Sequence, residues 1–299
     1  MLLRVDRRPV VTALAVLLLL GALGARTASQ SRPLRILLTN DDGYDSAGIT
    51  VMREALASAG HQVIIVAPAT NMSSTGMSMT SGIIKIEPKG ENVWAIHGTP
   101  ADAATIGMVR ILGDAPPDLV VSGTNAGQNL GTSANSSGTI NAAIAASRFG
   151  VPAIATSAGL GAEASHAYAV AAALVTQMIV SLAKSAPAGG RLLPDRMVIN
   201  MNVPAVAPAD LKGLRWAPLS TRSSYRRVYS ETGTPNELRA QLTAAEPVEG
   251  ETGTDLALFR EGYVTLTLLD GDVGVAAEAA APVTSRLSSL AVPQPAAVR

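Results

Sequence analysis

Cysteine is absent from the 299 residues, which removes disulfides, thiolate nucleophiles and zinc–thiolate centres from consideration. Aromatics are scarce. Two Trp, five Tyr and two Phe are too few for the stacking platform that single-stranded nucleic acid requires. Neither sign of charge predominates: 23 Lys and Arg stand against 23 Asp and Glu, so no gross field points to nucleic acid or an acidic partner. The histidines, His61, His97 and His166, are dispersed, and no Gly-x-Ser-x-Gly elbow occurs, which argues against a serine-hydrolase triad. G-x-G-x-x-G does not follow the first strand and G-x-x-x-x-G-K-[ST] is missing, which argues against a dinucleotide oxidoreductase and a P-loop ATPase.

What is present begins with Arg4, Arg7 and Arg8, an apolar run from Pro9 to Leu23, and the small residues Gly24 and Ala25. A charged start, a short apolar middle and a small-residue exit read as a secretory signal peptide over residues 1–25, and the run is shorter than the ~20 residues of a spanning helix. Cleavage after Gly24 would put Ala22 and Gly24 at the recognition positions; the alternative is an uncleaved anchor. The expected location is periplasmic or secreted, and cytoplasmic if the leader is misread.

The remainder reads as an α/β chain. Leu34 to Leu38, interrupted only by Arg35, is a short apolar run of the kind buried on both faces of a sheet, and it runs into Asn40-Asp41-Asp42-Gly43. A helical stripe follows (Ile49, Met52, Leu56, Ala59), stopped by Gly60, and then a strand from His61 to Val66. A hairpin is expected around Lys89-Gly90-Glu91-Asn92, and a helix from Gly98 to Leu112 with Thr99 as N-cap and Pro100 at its first position. Further strands are expected at Asp118–Val121, Val151–Thr156, Met197–Asn202 and Gly262–Leu269, with helices at Ile140–Phe149 and Ala164–Lys184. The strand–helix rhythm predicts a mostly parallel sheet. A polar arm with Arg222, Arg226, Arg227 and Arg239 is expected at about 219–241, suited to subunit contact or solvent. Residues 274–299 read as a flexible tail.

Three strand ends carry oxygen donors: Asn40 to Gly43, Asn71 to Ser74, and Ser122 to Asn125. In open α/β sheets, ligands bind at those ends. Adjacent carboxylates repel unless compensated, and two carboxylates with a hydroxyl and a carboxamide suit Mg²⁺ or Mn²⁺ rather than zinc or copper. Gly123, Gly127, Gly131 and the Ser137-Gly138-Thr139 turn are candidates for cradling a phosphoryl group at a helix N-terminus. The competing readings are that Asp41 and Asp42 cap a helix or pair with surface bases, that Ser74 replaces Ser73, and that Asn125 stabilises a turn. Asp102 reads as an early-helix structural acid, and His97 as a strand-end structural residue.

Asn40-Asp41-Asp42-Gly43 with Ala47-Gly48-Ile49 resembles the opening signature of the SurE (survival protein E) family. The resemblance continues through Val66-Ala67-Pro68 with Asn71 and Ser73, and Gly98-Thr99-Pro100 with Asp102. It extends to Ser122-Gly123 with Asn125-Ala126-Gly127 and Asn129-Leu130-Gly131, then Ser137-Gly138-Thr139, Asn200 with Asn202-Val203-Pro204, and Gly253-Thr254-Asp255 with Glu261-Gly262-Tyr263. It implies a Rossmann-like three-layer sandwich over residues 33–273 with a C-terminal β-rich oligomerisation arm. It also implies hydrolysis of nucleoside 5′- or 3′-monophosphates, with one Mg²⁺ or Mn²⁺ per subunit held by Asp41, Asp42, Ser73 and Asn125. Asp41 would take a proton from water, with Asn40 beside it, and Asn40, Asn129, Ser137, Gly138 and Thr139 would position the phosphate. Implied partners are a nucleoside monophosphate and copies of the chain in a homodimer or homotetramer, with no stable nucleic acid complex and no membrane beyond the leader. The chain departs from the family pattern at Ala69-Thr70, at Met72 and over 132–136. Those departures motivate two alternatives, a non-catalytic metal- or nucleotide-binding module and a broader phosphatase or exopolyphosphatase.

Overall fold

The computed structural model describes residues 32–187, 190–246, 250–271 and 277–286. The leader expected at 1–25 lies outside them. Strand β1 (Arg35–Thr39) is followed by α1 (Ala47–Ser58), β2 (Gln62–Pro68), the hairpin β3 (Ile86–Gly90) and β4 (Val93–Ile96), α2 (Pro100–Ile106), β5 (Leu119–Ala126) and α3 (Gly138–Ser147). Then come β6 (Ala153–Ala158), α4 (Ala164–Ser185), β7 (Met197–Val203), β8 (Leu214–Trp216), β9 (Tyr225–Glu231), β10 (Leu238–Ala244), α5 (Asp255–Arg260), β11 (Val264–Asp270) and α6 (Ala277–Arg286).

Nine strands form one sheet in the order β3-β4-β2-β1-β5-β6-β7-β11-β8. The run from β4 to β7 is parallel, while β3 and β11 pair antiparallel with β4 and β7. Helices cover both faces, giving the three layers. Alternation along β1 sends Ile36 and Leu38 to the face under α1 and α4, where they meet Ile49, Met52, Leu56 and Val175. Leu37 points to the opposite face, against α2 and α3, with Val66, Ala104 and Ile140. All three β1 residues are fully buried and each contributes about 2 kcal/mol, so the strand ahead of the acidic turn is among the most firmly held.

Order in the sheet places that turn. The chain leaves β1 to pair β2 on one side and later returns to pair β5 on the other. Asp41 and Asp42 therefore lie past the carboxyl end of β1 at the point where strand order reverses, which is where open α/β sheets form their crevice.

Several expectations change in detail. The helix expected to run to Leu112 is α-helical to Ile106 and continues as a π-helical turn over Gly107–Leu112, with Gly107 packed on the Leu37 methyls. The strand expected to end at Val121 runs to Ala126, with one extra residue between Ser122 and Asn125 relative to β6. A helix, α6, lies within the stretch read as a flexible tail. The arm is a separate two-stranded sheet of β9 and β10. Helix α4 alone among the described residues has membrane-crossing length and composition, but Ala167, Ala171, Val175 and Ile179 seat it on the sheet as a core helix.

Candidate active site

Asn40 opens the acidic turn and its amide is committed within it. Its Nδ2 donates to the Gly43 carbonyl and the Ser46 hydroxyl at 2.8 Å each, and its Oδ1 accepts from Gly43 N–H at 3.2 Å. Gly43 adopts φ +115°, a conformation that favours glycine. Asn40 thus shapes the turn that presents the acids rather than reaching beyond it.

Asp41 is buried, at 3% exposure. Its Oδ1 accepts from the Thr139 hydroxyl at 2.5 Å, and the Thr139 backbone N–H donates to the same carboxylate. Gly138 explains the close approach. A Cβ there would lie 2.7 Å from Asp41 Cβ and 2.8 Å from Oδ2, so only glycine lets the α3 N-terminus sit directly on the acid. Burial, reinforced by the charge of Asp42, pushes the Asp41 carboxyl up to about 6 despite the Thr139 hydrogen bond. Asp42 is half-buried, and burial raises its pKa as well, opposed by a hydrogen bond from Ala126 N–H at 2.8 Å. Among the described residues, no Lys, Arg or His forms an ion pair with either acid.

The other two oxygen-donor segments arrive as expected. Met72 N–H donates to the Asp41 carbonyl at 2.7 Å and Asn71 Nδ2 to Asp42 Oδ1 at 3.2 Å, which fixes the second loop against the acids. Ser73, next along, is exposed, and its N–H is held by Asn71 Oδ1 at 3.0 Å. Asn125 comes from the irregular end of β5, where the extra residue re-aims the side chain. Its Nδ2 donates to the Gly127 carbonyl at 2.6 Å, while its Oδ1 is buried and has no hydrogen-bond partner. That bare carbonyl oxygen lies one residue from Ala126, whose N–H binds Asp42, and a buried oxygen without a partner near two carboxylates that no base pairs is costly unless a cation completes the set. Among the described residues no three His, Asp or Glu are grouped so that they alone could hold a metal ion. Neutral oxygens must therefore supply the remainder of any coordination shell, and the donor set fits a hard divalent ion.

The expected phosphate-binding residues are placed differently. The Ser137 hydroxyl accepts from Ile140 N–H at 3.1 Å and serves as the α3 N-cap. Thr139 is turned to Asp41. Asn129 donates from Nδ2 to Ser157 Oγ at 2.9 Å and to Thr139 Oγ1 at 3.4 Å, so it stands behind the Thr139–Asp41 contact. Its carbonyl accepts from Asn200 and Asn202, and its N–H donates to Asn202 Oδ1 at 2.7 Å. Gly123 and Gly131 are required by neighbouring backbone, since a Cβ would meet the Thr156 carbonyl at 2.2 Å and the Arg222 carbonyl at 1.9 Å.

Ser157, Asn200 and Asn202 also bond into this network. Asn200 and Asn202 lie in a family motif, Asn71 in an oxygen-donor segment, and Ser157 carries no signal in the sequence. Asp102 is structural as expected, forming a reciprocal capping box with Thr99 and accepting from Thr80. His97 bonds Glu87 at the surface rather than entering the site.

Fold and site together define an α/β protein with a hard-oxygen acidic centre at the switch point of its sheet. Residues 36–226 match the family model described as Survival protein SurE, and the chain belongs to the SurE family. It is similar to 5′-nucleotidase SurE of Nitratidesulfovibrio vulgaris (strain DSM 19637 / Miyazaki F), 37% identical over 249 residues covering 79% of this chain and 87% of that one. The counterpart from Synechococcus sp. (strain JA-3-3Ab) is 34% identical over 250 residues, covering 80% and 93%. The crystal structure of SurE from Aquifex aeolicus superposes with a TM-score of 0.71 at 30% identity, covering 85% of this chain and all of that one.

Proposed function

We propose that this chain is a metal-dependent 5′-nucleotidase, hydrolysing nucleoside 5′-monophosphates to nucleoside and phosphate, with 3′-monophosphates as further substrates. The observation that carries the reading is the bare, buried Asn125 Oδ1 beside two carboxylates that no base compensates. Membership in a family whose relatives are named 5′-nucleotidases supports it.

Asp41, Asp42, Asn125 and Ser73 would hold one Mg²⁺ or Mn²⁺, which when bound supplies Lewis-acid polarisation of the phosphoryl group and a more acidic water. Asp41 accepts the proton of the attacking water. Thr139 occupies Oδ1 and so fixes the carboxylate plane, while Asn129, braced by Ser157 and Asn202, holds Thr139 in turn. Asn40 keeps the turn in shape.

The test is phosphate release from a panel of nucleoside monophosphates after chelation and resupply of each divalent metal. Release restored by Mg²⁺ or Mn²⁺ is expected; tight nucleotide binding without release would instead establish a binding module. Within this reading, Gly138→Ala forces the α3 N-terminus off Asp41 and is expected to lower kcat/KM by about tenfold. An unchanged kcat/KM would remove the Asp41–α3 contact from the mechanism.

We further propose an exported, self-associating protein. The arginine-led apolar N-terminus supports export, and intact mass of the mature protein still containing residues 1–25 would contradict it. The β9–β10 hairpin exposes Tyr229, Leu238 and Leu242 and has no third strand among the described residues, an arrangement marginal on its own, which supports a dimer or tetramer. Light scattering at the mass of one chain would contradict that.

A further inference from the structure

We propose that Asp255 is a positioning residue whose buried carboxylate locks the root of the arm to the loop carrying Asn129, so that the seat of the arm sets the geometry around Asp41. The consequence for turnover rests on the nucleotidase reading above; the clasp itself does not.

Asp255 is the first residue of α5 and is fully buried. A carboxylate that merely started a helix would need only local donors. This one joins three segments distant in sequence. Oδ2 accepts from Gly131 N–H at 2.8 Å, and Oδ1 accepts from Ser220 N–H at 2.7 Å and Leu256 N–H at 2.8 Å. Its own N–H donates to the Pro218 carbonyl at 2.9 Å. Three N–H donors oppose the cost of burying this carboxylate, which has no cationic partner among the described residues.

The two segments it joins are also fastened to each other. Thr132 N–H donates to the Arg222 carbonyl at 2.9 Å, Ser133 Oγ meets Ser223 Oγ at 2.8 Å, and Gly131 pairs with Ser223. The Tyr225 hydroxyl, at the start of β9, accepts from the Gln128 backbone N–H. The backbones at Gly131 and Arg222 touch so closely that a Cβ on Gly131 would lie 1.9 Å from the Arg222 carbonyl. The loop has no slack. Two residues before Gly131 stands Asn129, which reaches Asp41 through Thr139 in two hydrogen bonds. A shift of the arm root is therefore carried to the acid through bonded contacts, and Asp255 holds the junction of arm root and loop at which that path begins.

The experiment compares Asp255→Asn with Thr254→Ala in the full chain with Mn²⁺. Thr254 caps the same helix by accepting from Ala257 N–H and donates to Glu251, which also accepts from the Ser220 hydroxyl; among the described residues it has no hydrogen bond to Gly131, so it touches the arm side of the clasp alone. Asp255→Asn keeps the shape but removes the charge and one acceptor. It is expected to lower kcat about tenfold with KM within about threefold, in the range typical of outer-shell partners. Amide exchange should accelerate together in segments 127–133 and 220–225. Thr254→Ala is expected to lower Tm while leaving kcat and exchange at 127–133 unchanged. Equal kcat in the two variants, with exchange at 127–133 unmoved, would overturn the proposal. If Asp255→Asn does not fold, Ser133→Ala breaks the serine contact instead, with a drop in kcat of about threefold and the same paired exchange expected; no change in either would overturn it. Should the wild type release no phosphate at all, the nucleotidase reading fails and the exchange data alone decide the clasp.

Discussion

Asp41→Asn is expected to lower phosphate release from a nucleoside 5′-monophosphate by about a thousandfold and yet to raise the Tm of the chelated protein by about 4 °C. The loss follows from removing the proton acceptor and an anionic oxygen from the proposed ion site. The gain follows from burial. Desolvation, with the neighbouring charge of Asp42, raises the folded-state pKa of Asp41 from 3.8 to about 6. The unfolded chain releases this proton near 3.8, whereas the folded chain holds it until about 6. The folded state therefore binds more protons between those values, and stability falls as pH rises through the interval. The shift corresponds to about 3 kcal/mol of stability missing at neutral pH, part of which an uncharged Asn recovers while still accepting from Thr139. Thermal melts in chelator and in Mn²⁺ check this. The variant should be the more stable protein in chelator, and the wild type should regain the lead when the ion is supplied. A variant less stable than the wild type in chelator would show that the carboxylate is not under this burden.

Removing the divalent ion is expected to bring phosphate release by the wild type to background, about a thousandfold or more below the reconstituted rate, because nothing else neutralises Asp41 and Asp42 as an anionic substrate approaches. Affinity for the ion carries a pH signature. An ion must displace the Asp41 proton, so binding weakens as pH falls through about 6, and Mn²⁺ should bind about tenfold less tightly at pH 5 than at pH 7. The sign is opposite to that of the ion-free stability, which increases toward acid. Titrations at the two pH values check it, and affinity independent of pH would place the ion away from Asp41.

Features decided by local chemistry were legible in the sequence. Ile36 to Leu38 read as a doubly buried strand because both faces of β1 are covered, leaving no polar position in the run. Thr99 and Pro100 announced the start of α2, since a cap and a first-turn proline act within four residues. The three oxygen-donor segments were legible because parallel α/β sheets gather their strand ends.

What was not legible depended on partners remote in sequence. Thr139 and Asp41 are 98 residues apart, and nothing near Thr139 says that its hydroxyl serves an acid rather than an anion. Gly123 and Gly131 are required by neighbouring backbone, a demand that leaves the same signature in sequence as one made by a ligand. The extension of β5 past Val121 is fixed by its register with β6, which a window confined to 118–126 does not contain. Asp255 was quoted only as part of a motif, and its role emerges from the meeting of Gly131 and Ser220.

The central claim is that Asp41, Asp42 and Asn125 hold a hard divalent ion. Calorimetric titration of Mn²⁺ into chelated wild type and into Asn125→Leu tests it most directly. One ion per chain is expected for the wild type, with at least about tenfold weaker binding when the bare Asn125 Oδ1 is removed. Equal affinity and stoichiometry in the two proteins would contradict it.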